Sequence, residues 1–186
     1  MANLQYEDQL YKIFTNVNEW LKFAEAKNFG LLSLNTAIVF GFMQVNFQNC
    51  IVIQKTGLYV FLPCALISFF LSLISLIPII SKIEKNIHEK RWINKICNCI
   101  AKEEKKENIH FYDYLKFINE TEFETSFLKK VNSTCSFTQF ERELVTQILY
   151  NSRITWLKYQ LFKIGAYFFL TGAILFLIAL LIIIFS

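Results

Sequence analysis

The chain has 186 residues, of which 54% are hydrophobic and 17% aromatic, and its net charge is +4. One domain of ordinary size fits this length, but so apolar a composition leaves too little polar surface for a soluble globular protein. The composition therefore indicates a membrane protein.

Residues 1–27 carry apolar side chains at steps of three and four, among them Leu10, Ile13, Val17 and Leu21. This spacing predicts an amphipathic helix, which lies on the cytoplasmic face of the membrane or on the cytoplasmic part of the protein. An ordinary packed helix fits the same pattern equally well. The segment lacks the apolar core of a secretory signal, so we expect it to stay in the mature protein.

Residues 28–81 are predicted to form a transmembrane hairpin of two spans. Phe29–Phe47 has no charged residue, but it contains polar side chains such as Asn35, which should face other helices or water. Gly57–Ile80 is the second span of the hairpin. Three small polar residues follow one another on one face of it: Ser68, Ser72 and Ser75. Such a stripe, together with Asn35, is typical of a helix packing surface.

Residues 82–163 form the large polar part of the chain, predicted to be a helical cytoplasmic domain. Ser81–Lys163 holds 15 of the 19 Lys and Arg residues and 11 of the 15 acids. Basic residues accumulate on the cytoplasmic side of membrane proteins. This distribution places residues 82–163 and the N-terminus in the cytoplasm.

Within this part, Thr121–Val131 reads as a helix, because its phenylalanines recur at steps of four. Ile109–Ile118 is aromatic and fits either a strand or the start of a helix. Thr138 is followed three residues later by Glu141, the pattern of a capping box that starts a helix.

Residues 164–186 contain the third and most apolar span. Ile164–Phe185 is 22 residues long without a charge, and as a helix it extends about 33 Å, enough for a hydrocarbon core of about 30 Å. Gly172 offers a close packing point in it. No proline occurs from Thr138 onward, so one helix is predicted to run from the polar part into the span. The predicted fold is therefore an all-α membrane protein with three transmembrane helices.

The sequence contains none of the motifs typical of nucleotide hydrolysis, metalloproteolysis or serine hydrolysis, so we expect no catalytic residues. A metal site at Cys97 and Cys99, completed by His88, His110 or Cys135, matches no common zinc spacing, and neither metal nor cofactor is expected. Before the last span, Arg153 and Lys158 offer cations for a phosphate or, equally well, for lipid headgroups.

Three stretches resemble the transmembrane effectors of Pycsar antiphage systems. Leu21–Phe40 (LKFAEAKNFGLLSLNTAIVF) is similar to the opening signature of the family, with an acid and a lysine before a span that contains an asparagine. Asn108–Tyr114 (NIHFYDY) is similar to its aromatic-Gly-Asp turn, although Tyr112 stands where glycine is usual. Gln147–Gly165 resembles the approach to its last span. The matching residues there are Asn151, Ser152, Lys158 and Tyr159.

The resemblance implies an effector of antiphage defence that impairs the inner membrane of the infected bacterium. Its ligand would be cyclic CMP or cyclic UMP made by a cognate cyclase, and it would act as a homo-oligomer in the lipid bilayer, without a nucleic-acid polymer as partner. Arg153 or Lys158 would bind the phosphate, and Tyr112, Asp113 and Asn151 are further ligand contacts. The alternative is a non-catalytic membrane adaptor or scaffold whose cytoplasmic helices recruit a partner.

Overall fold

The computed structural model describes residues 2–44, 55, 57–77, 108–133 and 135–185. These residues form helices joined by turns, without a strand among them, so the prediction of an all-α fold is confirmed for this part of the chain. In chain order the helices are α1 (Ala2–Met43), a π-helical turn (Gly57–Phe61) that leads into α2 (Leu62–Leu76), α3 (Tyr112–Leu115), α4 (Glu120–Val131) and α5 (Gln139–Phe185).

The chain divides into two compact units. The first unit consists of Met1–Phe23 and Ile79–Leu157, and the second consists of Ala24–Pro78 and Lys158–Ser186. Each of the two long helices, α1 and α5, contributes residues to both.

The first unit has an apolar core rich in aromatic rings. The Phe127 ring is its centre, with ring centroids 6.1 Å from Tyr6, 6.0 Å from Phe123 and 5.4 Å from Phe137. Around these rings pack aliphatic side chains of α1, the segment 109–118 and α5: Leu10, Ile13, Val17, Ile109, Leu115, Ile118, Leu144, Val145, Ile148 and Leu149. The apolar steps of three and four in residues 1–27 thus form one wall of this core.

Capping side chains fix the ends of α4 and α5. Asn119 and Glu122 form a capping box at the start of α4. Asn132 ends that helix in the left-handed conformation at φ 53°, which asparagine tolerates better than most residues. The capping box predicted at Thr138 and Glu141 is present: Glu141 Oε2 accepts from the Thr138 amide at 2.6 Å, and Thr138 Oγ1 accepts from the Glu141 amide at 3.3 Å.

The second unit packs α1 from Ala24 onward, α2, and α5 from Lys158 onward. Asn28 contacts Lys158, and seven residues later Asn35 contacts Ser68. On α5, Lys158 contacts Ser75 and Gly165 lies beside Ser68. Along the chain, α1 and α5 therefore run parallel, and α2 runs antiparallel to both.

Two of the described helices, rather than three, are long and apolar enough to cross a membrane. The qualifying segments are Tyr59–Leu76 and the apolar part of Gln139–Ile182. The predicted span Phe29–Phe47 is not supported: α1 ends at Met43, and polar residues such as Asn28 and Asn35 lower its hydropathy. Residues 45–47 of that prediction lie outside the described part of the chain.

α1 runs without a break across residue 27, where the sequence divided an N-terminal helix (residues 1–27) from a first span. Asn28 does not end the helix, since its Nδ2 donates to Ala24 O, four residues back, at 2.9 Å. The continuous helix predicted from Thr138 into the last span is observed as α5.

Candidate functional site

Tyr112 and Asp113 lie in α3, within the first unit. The Tyr112 ring contacts Phe111 and Trp20, with ring centroids 4.8 and 5.7 Å apart. The Asp113 carboxylate accepts a hydrogen bond from Lys116 Nζ and forms an ion pair with it. Asp113 therefore compensates the charge of a lysine that is removed from water, while 38% of its own side chain stays exposed.

Lys116 is a buried cation in an aromatic setting. Its Nζ lies 4.4 Å from the ring centroid of Phe117 and 4.5 Å from that of Trp156. Ring faces are negative and attract a cation at this distance. The ammonium is thus held by a carboxylate and two rings, and the cluster joins α3 to α5 inside the first unit.

Asn151 and Arg153 lie on α5, also in the first unit. Asn151 Nδ2 donates to Asn18 Oδ1 on α1 at 2.8 Å, and Arg153 is half-buried. On α1, Asn16 Nδ2 donates to His110 O at 2.6 Å. This stretch of α1 therefore contacts α5 and also the segment that precedes α3. Four of the five predicted ligand residues belong to the first unit.

Lys158, the fifth predicted ligand residue, belongs to the second unit and is engaged within it. Its Nζ donates to Glu25 Oε1 and to Ser75 O, both at 3.0 Å. The residue is only 4% exposed, whereas 47% of the Glu25 side chain is exposed. The ammonium therefore joins α1, α2 and α5, instead of lying open at the surface as the sequence suggested for a phosphate-binding cation.

Two of the sequence stretches that carry the family resemblance meet in the second unit. Glu25 pairs with Lys158, and Asn28 Nδ2 donates to Lys158 O at 3.0 Å. Lys27 Nζ lies 5.4 Å from the ring centroid of Tyr159. The acid and the lysine before the first apolar stretch thus contact the residues before the last one.

The predicted packing residues lie inside the second unit. Asn35 Nδ2 donates to Ser68 Oγ at 2.9 Å, and Ser72 Oγ donates to Ser68 O at 2.9 Å. A methyl group at Gly172 would lie 2.6 Å from Cys64 Cβ, so α5 and α2 approach closely there. Asn35, the three serines and Gly172 are buried in contacts within one copy of the chain.

An open cavity of about 320 Å³ lies in the first unit, beside the start of α4. Its polar lining consists of hydroxyl groups and one carboxylate, from Tyr114, Thr121, Glu122, Thr125 and Ser126. This lining contains no cation, and Glu122 already serves the α4 cap. The cavity therefore suits a neutral hydrogen-bonding group better than a phosphate.

Among the described residues, no three His, Cys, Asp or Glu side chains lie close enough to hold a metal ion. Cys64 and Cys135 are free thiols. His88, Cys97 and Cys99, which the sequence offered as a possible metal site, lie outside the described residues.

Sequence reasoning missed the roles of Asn28 and Lys116. Asn28 stands seven residues before Asn35, as Ser68 stands seven before Ser75, and equal spacing on two apolar helices was the available signal for a shared polar face. For Lys116, nothing in the local pattern distinguishes a buried lysine from an exposed one, because its partner Trp156 lies 40 positions away.

A family model described as "Pycsar effector protein domain" matches residues 9–185. The matched range covers nearly the whole chain, includes most of both units and contains all the predicted site residues. No curated protein and no solved structure matches the chain.

Proposed function

The chain belongs to the Pycsar effector family, whose role is antiphage defence, and on this premise we propose that cyclic CMP or cyclic UMP activates it to impair the inner membrane of an infected bacterium. The observation that carries the proposal is the family match over residues 9–185. The outward-facing apolar side chains of α2 and α5 support a membrane target.

In this proposal the first unit binds the nucleotide and lies in the cytoplasm with the N-terminus. Its candidate contacts are Arg153 for the phosphate and Tyr112, Asp113 and Asn151 for the base or ribose. A guanidinium presents parallel N–H donors that fit a phosphate. Lys158 is the other candidate for the phosphate, and Glu25 and Ser75 engage its ammonium in this structure.

The nucleotide response can be measured on the full chain in liposomes that carry a membrane-potential dye. We expect cyclic CMP or cyclic UMP to collapse an imposed potential, and cyclic AMP to leave it unchanged. Collapse before any nucleotide is added, or an equal response to all three, would contradict the proposal.

The binding site can be tested with two arginines on α5. Loss of a charge-assisted hydrogen bond corresponds to about a 10- to 100-fold weaker affinity, and we expect this for Arg153→Ala in calorimetric titration. Arg142→Ala is the control, since Arg142 is exposed on the same helix. Equal affinities of the two variants would remove Arg153 from the site.

The proposed topology can be read from thiol labelling of intact bacterial spheroplasts. Cys135 is exposed in the first unit, and as the single remaining cysteine it should resist an impermeant maleimide until the cells are lysed. A cysteine placed in residues 46–55 should be labelled at once, and the reverse pattern would invert the topology.

A further inference from the structure

A polar seam lies in the interior of the second unit and extends about 10 Å along α1 and α2. It is formed by residues that are at most 4% exposed: Asn28, Asn35, Ser68, Ser72, Ser75 and Lys158. Three of its oxygens, Asn28 Oδ1, Asn35 Oδ1 and Ser75 Oγ, have no hydrogen-bond partner in the described part of the chain. Buried polar atoms in proteins are nearly always paired, so three orphans along one seam require an explanation.

The orientation of both amides is fixed by their neighbours. Asn28 Nδ2 donates to Ala24 O and Lys158 O, and Asn35 Nδ2 donates to Leu31 O and Ser68 Oγ. Main-chain carbonyl oxygens only accept hydrogen bonds, so exchanging the amide nitrogen and oxygen would break these contacts. Both Oδ1 atoms are therefore acceptors inside the seam that lack a donor.

Orphaned amide and hydroxyl oxygens are suited to water and to hard cations, which proteins bind through oxygen. The seam already holds one cation of its own. Lys158 Nζ lies 3.0 Å from Glu25 Oε1 and 3.0 Å from Ser75 O, as a bound metal cation would lie among oxygen ligands. Asn35 lies seven residues after Asn28 on α1, and Ser68 lies seven residues before Ser75 on α2. Seven residues of a helix measure about 10 Å, which is the distance from Lys158 to the other end of the seam.

The helices are closed around the seam in this structure. A methyl group at Gly165 would lie 3.3 Å from Leu31 Cδ2 and 3.6 Å from Ser68 Oγ. The ammonium of Lys158 adds an electrostatic barrier, because a fixed positive charge repels cations that enter beside it.

We propose that the polar seam is the polar segment of a path for water and monovalent cations through the second unit, closed by the Lys158 ammonium. The proposal rests on the membrane role proposed above and specifies how the membrane is impaired. Cations pass along Asn28, Asn35 and the three serines, whereas larger solutes do not pass.

The test uses the full chain in liposomes, with radioactive Rb⁺ uptake and release of a trapped dye measured together and no nucleotide added. Lys158→Met removes the ammonium, and we expect Rb⁺ uptake to rise about tenfold or more over the original chain, with the dye retained. Lys163→Met, five residues further along α5, is the charge-matched control and should leave uptake unchanged. Lys158→Gln keeps an N–H donor for Ser75 O, so it replaces Lys158→Met if that variant does not fold.

A second substitution tests the path itself. Asn35→Leu, which is close to isosteric, should return the uptake of the Lys158 variant to the original rate. Ser33→Leu, on the exposed face two residues away, should not. The proposal is overturned if the Lys158 variants take up Rb⁺ no faster than the original chain, if dye escapes with the Rb⁺, or if Asn35→Leu leaves uptake high. Because nucleotide plays no part here, a failure of nucleotide activation would leave these results unaffected.

Discussion

The two units have opposite interiors. In the first unit the buried side chains are mainly aromatic and aliphatic, with Phe123, Phe127 and Ile148 at its centre. In the second unit the buried residues are mostly polar, and large apolar side chains such as Phe40, Leu177 and Ile182 face outward. The difference indicates two solvents: water drives apolar groups inward, whereas lipid provides no such force, and helices then associate through small and polar residues.

The largest expected loss of stability follows from removing a buried aromatic ring of the first unit. Phe123 is fully buried and stacks on Phe127, so Phe123→Ala should lower the free energy of unfolding by about 3–5 kcal/mol. Thermal unfolding in detergent micelles, followed by near-ultraviolet circular dichroism, measures the loss. Phe140→Ala removes a ring that is 50% exposed and should change the free energy by less than about 0.5 kcal/mol. Similar losses for both would mean that the first unit is not organised by its apolar core.

In the second unit the sensitive positions are the smallest residues. Gly172→Ala places a methyl group 2.6 Å from Cys64 Cβ, and such overpacking should cost about 1–3 kcal/mol of stability. Gly41 has no atom within 4 Å of the added methyl group, so Gly41→Ala should instead stabilise its helix by about 0.5–1 kcal/mol. Unfolding by a denaturing detergent gives both values. A Gly172→Ala variant that is as stable as the original chain would show that α2 and α5 do not need close contact at this position.

The smallest effect is local to one helix end of the first unit. Asn119 Oδ1 accepts from the Glu122 amide at 2.8 Å, and Asn119→Ala should cost about 1 kcal/mol. Hydrogen exchange should rise in the first turn of α4 and stay unchanged in the second unit. Thr125→Ala, on an exposed face of the same helix, is the control. Equal hydrogen exchange in the two variants would mean that the Asn119 cap does not stabilise the start of α4.

Several parts of this fold could be predicted from sequence because their causes are local. The Thr138–Glu141 capping box, the end of α4 near Asn132 and the unbroken α5 each depend on neighbouring residues. The continuity of α1 across residues 27 and 28 was not predicted, and the side chain of Asn28 takes part in it by bonding to Ala24 O, four residues back. The span Phe29–Phe47 was predicted from the absence of charge, but the polar residues of α1 weigh against it in the described helix.

The site was harder to predict, because its contacts join distant positions. The positive charge of Lys158 was visible in the sequence, but its burial depends on Glu25 and Ser75, which are 133 and 83 residues away. A separation of 40 positions likewise hid the contact between Lys116 and the ring of Trp156. Local spacing reveals the face on which a polar residue lies, while only tertiary contacts decide whether that residue is open to a ligand.

The contact between Asn28 and Lys158 also sets an order for biosynthesis. The two residues are 130 positions apart, and at typical translation speeds roughly 6–26 s separate their synthesis. During that interval the ribosome has delivered α1 and α2, but the residue that joins both to α5 does not yet exist. The second unit is therefore completed only when α5 has been synthesised, and a chain whose translation stops before Lys158 lacks the ammonium that joins its three helices.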